Sequence, residues 1–235
     1  MNALERSIVA VSTLLLGALF VGVVARRRYR ACLSFPIYVL SVFTTNLLVG
    51  LWPERFFRWD FYVFKEGVHN SLKFAVALEL AARTFWPFPG AVRTATKTVL
   101  AILVLVYITA ILSTSDAEYD TLVLARVHNG TIWLFSVIAA IVLWYRLPME
   151  PFRKAILVGF VPYLLVFAVG MEAIGKLMES VGRFAVLEGR GRLVNIAHIV
   201  AYAILVAYWN YAAWHVGAPG SRAAPAPTDT HAEAH

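Results

Sequence analysis

Apolar runs of about 20 residues recur along this 235-residue chain, and nothing else in the sequence restricts its fold so strongly. A helix rises ~1.5 Å per residue, so about 20 apolar residues cross the ~30 Å hydrocarbon core of a bilayer with every backbone polar group bonded internally. Such runs cover 8–25, 35–52, 61–85, 95–114, 122–145, 152–181 and 193–214. Pro53, Pro87, Pro89, Gly90, Ser115, Asp116, Pro148, Gly189 and Gly191 separate them, all residues that interrupt helices. The expected architecture is an all-α, polytopic membrane protein: a seven-transmembrane-helix bundle over 1–216 with a disordered cytoplasmic tail over 217–235. That tail has too few apolar groups to offset the entropy of ordering it.

Composition agrees with lipid as the solvent. Sixty per cent of residues are hydrophobic and only 15% are charged, which lies outside the range of soluble domains. Cytoplasmic loops retain Lys and Arg, and an N-terminus outside places Arg26, Arg27, Arg28, Arg30, Arg83, Arg93, Lys97, Arg146, Arg153, Lys154 and Arg222 in the cytoplasm. Only Arg6, Arg55, Arg58, Arg183, Arg190 and Arg192 then remain outside. The expected location is the cell (inner) membrane, multi-pass, with the C-terminus cytoplasmic. The net charge of +7 calls for no nucleic acid, because juxtamembrane basic residues facing anionic lipid account for it. Cys32 is the single cysteine, which excludes an internal disulfide and a Cys-based metal cluster.

The third run breaks the apolar pattern with the stretch KEGVHNSLK, residues 65–73. At 100° per residue, Glu66, His69, Asn70 and Lys73 share one face, and lipid cannot be its neighbour because a bare charge in hydrocarbon costs several kcal/mol. If the segment instead lay flat on the surface, the basic residues from Arg55 to Lys97 would all fall on the outer side, so the spanning reading is preferred. Three other helices carry comparable groups. His69, His128 and His198 sit about 12, 10 and 9 Å from the outer ends of their helices, at ~1.5 Å per residue. Glu172, Lys176 and Glu179 follow one face of the sixth helix near its outer end, and Asn46, Asn129 and Asn195 fall in the same slab. These positions predict an outward-opening polar pocket, with Glu66 paired to Lys73 and Glu172 to Lys176. Elsewhere, Glu79 and Arg83 are spaced for a structural ion pair, Lys65 is expected to snorkel outward, and Pro162 with Gly159 is expected to kink its helix.

Two functional expectations follow from the pocket. The first is a binding or sensing protein, whose ligand-binding residues are Glu66, His69, Asn70, Lys73, His128, Asn129, Glu172, Lys176, Asn195 and His198. A small ligand, an ion or a proton enters from outside, and output passes through a membrane or cytoplasmic partner protein. The second is a metal-dependent hydrolase, with zinc on His69, His128, His198 and Glu172 and an open position for water. Two of the histidines could instead hold a b-type haem, or the pocket could hold no cofactor. The layout resembles the seven-helix hydrolases that include alkaline ceramidases and adiponectin receptors, but His198 lacks the His-x-x-x-His partner those proteins carry in their last helix. A transporter is disfavoured by the apolar inner halves, and a retinal protein by the absence of lysine in 193–214. The segments FYVFKE, 61–66, and ELAARTF, 79–85, resemble uncharacterised bacterial seven-helix membrane proteins. That resemblance implies a polytopic membrane protein and supplies no activity.

Overall fold

The structure is a computed structural model that describes residues 3–56, 58–85, 119–181 and 190–216 with the isolated positions 97 and 101; side chains are described for 7–56, 58, 60–85, 97, 101, 130–170 and 196–216. Among the described residues every regular element is helical. The long helices are α1 (Ala3–Ala25), α2 (Ser34–Leu51), α3 (Trp59–Phe85), α4 (Tyr119–Trp144), α5 (Pro151–Val181) and α6 (Arg190–His215), with a four-residue helical turn at Pro53–Phe56. The expected span 95–114 and the tail 217–235 lie outside the described residues, apart from positions 97 and 101.

Among the described residues, four stretches are long and apolar enough to cross a membrane: Ser7–Ala25, Ser34–Leu51, Pro151–Gly170 and Ile196–His215. Their outward faces carry large apolar side chains such as Leu14, Val169 and Ile204, the pattern expected where lipid replaces water. The α3 helix is longer, at 27 residues, but its charged residues keep it from qualifying by composition.

Helix ends follow local chemistry. Among the described residues two non-glycine positions adopt positive φ, Arg27 at 53° and Arg146 at 49°. At the second, Leu147 N–H donates to Val142 O at 3.0 Å and Arg146 N–H to Leu143 O at 3.3 Å, which closes α4 in a Schellman motif with arginine where glycine is usual. Pro151 then opens α5, where its missing N–H costs nothing.

Each long helix packs on its neighbours in sequence, and α6 returns to pack on α1, so the six form a closed ring. An aromatic layer fills its interior. Phe35 of α2 meets Trp209 of α6 edge-on at 5.0 Å, and Phe160 of α5 touches Phe135, Tyr38 and Trp209 at centroid separations of 4.6, 5.5 and 4.6 Å. The Trp209 indole also donates to Ala155 O at 3.3 Å. Gly159 lies directly under that indole, and a Cβ there would collide with the Trp209 ring and with Leu205. Its role is therefore close approach of α6 to α5. The α5 helix continues through Pro162 without a break in its assignment.

Candidate functional site

A cavity of about 300 Å³ adjoins this aromatic layer inside the ring. Five helices line it. Ser12 comes from α1, Tyr38 and Asn46 from α2, Lys65, Glu66, His69 and Lys73 from α3, Tyr163 and Phe167 from α5, and His198 and Tyr202 from α6. The residues follow helical spacing: 38, 42 and 46 on α2, 66, 69 and 73 on α3, 163 and 167 on α5, and 198 and 202 on α6. One wall is polar, and the wall from α5 and α6 is aromatic. Tyr163 lies 5.6 Å from the His198 ring, Phe167 meets that ring edge-on at 4.8 Å, and Tyr163 lies 5.5 Å from Tyr202.

The charges on α3 are arranged differently from the expectation. Glu66 pairs with its neighbour Lys65, Oε1 to Nζ at 3.2 Å, and not with Lys73. Both partners are about a quarter exposed, at 23% and 24%, so the pair sits where the cavity meets its surroundings. Lys65 also lies 4.8 Å from the centre of the Tyr62 ring, a cation–π contact that keeps it on its own helix. Side-chain geometry explains the exchange: residues i and i+7 on a helix lie two turns, about 10.5 Å, apart along the axis, beyond the reach of a direct Glu66–Lys73 contact without full extension of both.

Lys73 is left deeper, only 6% exposed, with its Nζ donating to Asn70 Oδ1 at 3.1 Å. No described carboxylate comes within ion-pair distance of it. Asn70 itself is buried and acts as the amide partner of Lys73.

The two described imidazoles differ in their bonding. His69 Nε2 is 3.2 Å from Thr45 Oγ1, whose own proton is directed to Ser41 O at 2.9 Å or Val42 O at 3.0 Å. The direction of the His69–Thr45 bond follows the imidazole tautomer. His198 Nδ1 has no hydrogen-bond partner, and neither does the Tyr202 hydroxyl one turn away. Buried polar atoms of this kind are uncommon in folded proteins.

Of the sequence-derived set, the cavity gathers Glu66, His69, Lys73 and His198, and Asn70 stands behind Lys73. His128, Asn129, Glu172, Lys176 and Asn195 fall within helices, but their side chains lie outside the described residues. The tyrosines at 38, 163 and 202 were not anticipated. Among the described residues no three His, Cys, Asp or Glu side chains gather as a metal site, and two of the four expected ligands, His128 and Glu172, are outside that search.

The far end of α3 behaves otherwise. Glu79 and Arg83 form the ion pair their spacing suggests, at 2.8 Å. Glu79 also accepts from Leu33 N–H at 2.8 Å and Ser34 N–H at 2.7 Å, which caps the start of α2. Arg83 reaches Arg30 O at 2.7 Å, and Arg153 of α5 reaches Ala31 O at 3.0 Å and Arg83 O at 3.4 Å. Arg28, in the connection after α1, is 2% exposed, donates to Ala213 O and Val216 O at the end of α6, and lies over the Phe152 ring. A cation at a helix C-terminus satisfies orphan carbonyls and complements the helix dipole.

Comparison with known proteins finds no family, no curated protein and no solved structure that matches the chain.

Proposed function

We propose that this protein is a multi-pass protein of the cell membrane, a seven-helix bundle with its N-terminus outside, that binds a small polar ligand in the interhelical chamber and passes the occupancy to a partner. What carries the reading is the chamber's chemistry: a cavity of about 300 Å³ inside the helix ring, lined by two imidazoles and two ammonium groups, with a buried nitrogen and a buried hydroxyl that have no partner. Intramembrane ionisable groups are expensive, and a binding function gives them a reason to be there. Because the lining comes from α1, α2, α3, α5 and α6, a ligand touching them together would bias how those helices pack, which is how occupancy would reach a partner.

The test is thermal unfolding and tryptophan fluorescence of the purified full chain across a panel of small metabolites, metals and pH values. At least one class is expected to shift the unfolding midpoint; indifference to the whole panel contradicts the reading. Orientation is tested separately, with reporter fusions at the C-terminus expected to report a cytoplasmic location.

A metal-dependent reading has one observation in its favour, that His69 and His198 line the same cavity. Elemental analysis of the purified protein decides it: stoichiometric zinc supports it, and its absence from protein prepared without chelators removes it.

A further inference from the structure

Among the described residues the charges around the chamber do not balance, and the imbalance favours one kind of ligand. Lys65 neutralises Glu66 at 3.2 Å, whereas Lys73 is buried with the neutral Asn70 amide as its one described partner. A buried ammonium without a described counter-ion is costly, so the partner that suits it is an anion. Its hydrogen-bonding needs are met by the unpaired Tyr202 hydroxyl, which can donate, and by His198 Nδ1 in its protonated tautomer. His69 is already engaged, with its Nε2 3.2 Å from Thr45 Oγ1. Beside this polar corner stand the Tyr163 and Phe167 rings, against Tyr202 and His198, which suit a flat or aliphatic body and not a fully hydrated inorganic ion.

We infer that the chamber takes a small organic monocarboxylate, its carboxylate on Lys73 and the Tyr202 hydroxyl and its apolar body against Tyr163 and Phe167. The inference rests on the reading of the chamber as a binding site and adds the ligand's charge and shape to it. Charge selection works by balance. A carboxylate brings the buried set to neutrality, a neutral isostere leaves Lys73 unpaired, and a cation adds a second like charge.

The experiment compares benzoate, benzamide and benzylamine, three molecules of nearly one shape and three charges, by thermal unfolding and direct binding to the purified full chain. Benzoate is expected to raise the unfolding midpoint in a saturable way while the other two leave it unchanged. Lys73→Met is expected to weaken benzoate at least about tenfold, the equivalent of one charge-assisted hydrogen bond. Should that variant fail to fold, Tyr202→Phe serves in its place, with a loss of roughly threefold to tenfold expected for a single hydroxyl donor. Stabilisation by benzamide or benzylamine in preference to benzoate overturns the inference and leaves the chamber as a site of another specificity. Undiminished benzoate binding in the folded variant also overturns it. Silence towards all three overturns it too, while the binding reading itself falls only if the broad panel is silent as well.

Discussion

The end and the middle of α3 use charge in opposite ways. At the end near the α1–α2 connection, Glu79 and Arg83 bond to each other and to the backbone of residues 30–34, and Arg153 ties the same connection to α5. About six residues before Glu79, or ~9 Å along the helix, Lys73 has the Asn70 amide as its partner among the described residues, and His198 Nδ1 and the Tyr202 hydroxyl have none. A saturated network fixes helix ends in register, because each donor removed leaves an acceptor exposed inside the protein. An unsaturated set does the reverse: it costs stability, and on the proposed binding reading it is available to a ligand. The first region serves assembly, and the proposal gives the second to recognition.

The largest expected effect therefore lies at the saturated end. Glu79→Ala removes the cap of α2 and strands Arg83, and it is expected to destabilise the protein by about 2–4 kcal/mol, read as a lower unfolding midpoint in detergent. A change below about 0.5 kcal/mol would mean that this end is not the clamp its geometry describes.

Much of the frame was legible in the sequence, and the reasons are local. Helix limits at Ala25, Leu51 and Trp144 follow from where apolar runs stop and prolines or charges begin, information carried by adjacent residues. The Glu79–Arg83 pair was legible because i, i+4 spacing alone brings such groups together. The partners of Arg28 were not, since Ala213 and Val216 are more than 180 residues distant and only ring closure brings α6 to α1. The lining tyrosines were missed for another reason: Tyr38 and Tyr163 look like ordinary apolar positions in a spanning helix. A usable signal did exist in His198 and Tyr202, which are spaced i, i+4 and so share a face.

A moderate effect is expected at Arg28. Arg28→Met keeps much of the packing against Phe152 but leaves the Ala213 and Val216 carbonyls without this donor, so a loss of about 1–3 kcal/mol is expected in the same assay. In the chamber the corresponding change should do little. Tyr202→Phe deletes a hydroxyl that bonds to nothing, so the empty protein is expected to stay within about 0.5 kcal/mol of the original or to gain stability. A clear destabilisation there would erase the contrast between the two regions.

The smallest effect concerns Cys32, buried in the saturated end between α1 and α2. Burial, followed by the nearby Glu79 carboxylate, pushes its thiol up to about 12. A folded-state value above the unfolded one means that this stabilising contribution is complete below the ordinary thiol range and is lost as pH rises towards about 12. Alkylation by N-ethylmaleimide at pH 8 is therefore expected to be far slower in the folded protein than in denaturant. Equal rates would show the network to be open.

The central claim, that a polar chamber opens to the outside between these helices, is tested most directly by cysteine accessibility. With Cys32 replaced by alanine, Asn46→Cys places a thiol on the cavity wall, and Leu205→Cys places a control in the packed core. A membrane-impermeant methanethiosulfonate reagent added outside intact cells is expected to label position 46 and spare position 205. Labelling of position 46 only from the cytoplasmic side, or from neither side, would contradict the account.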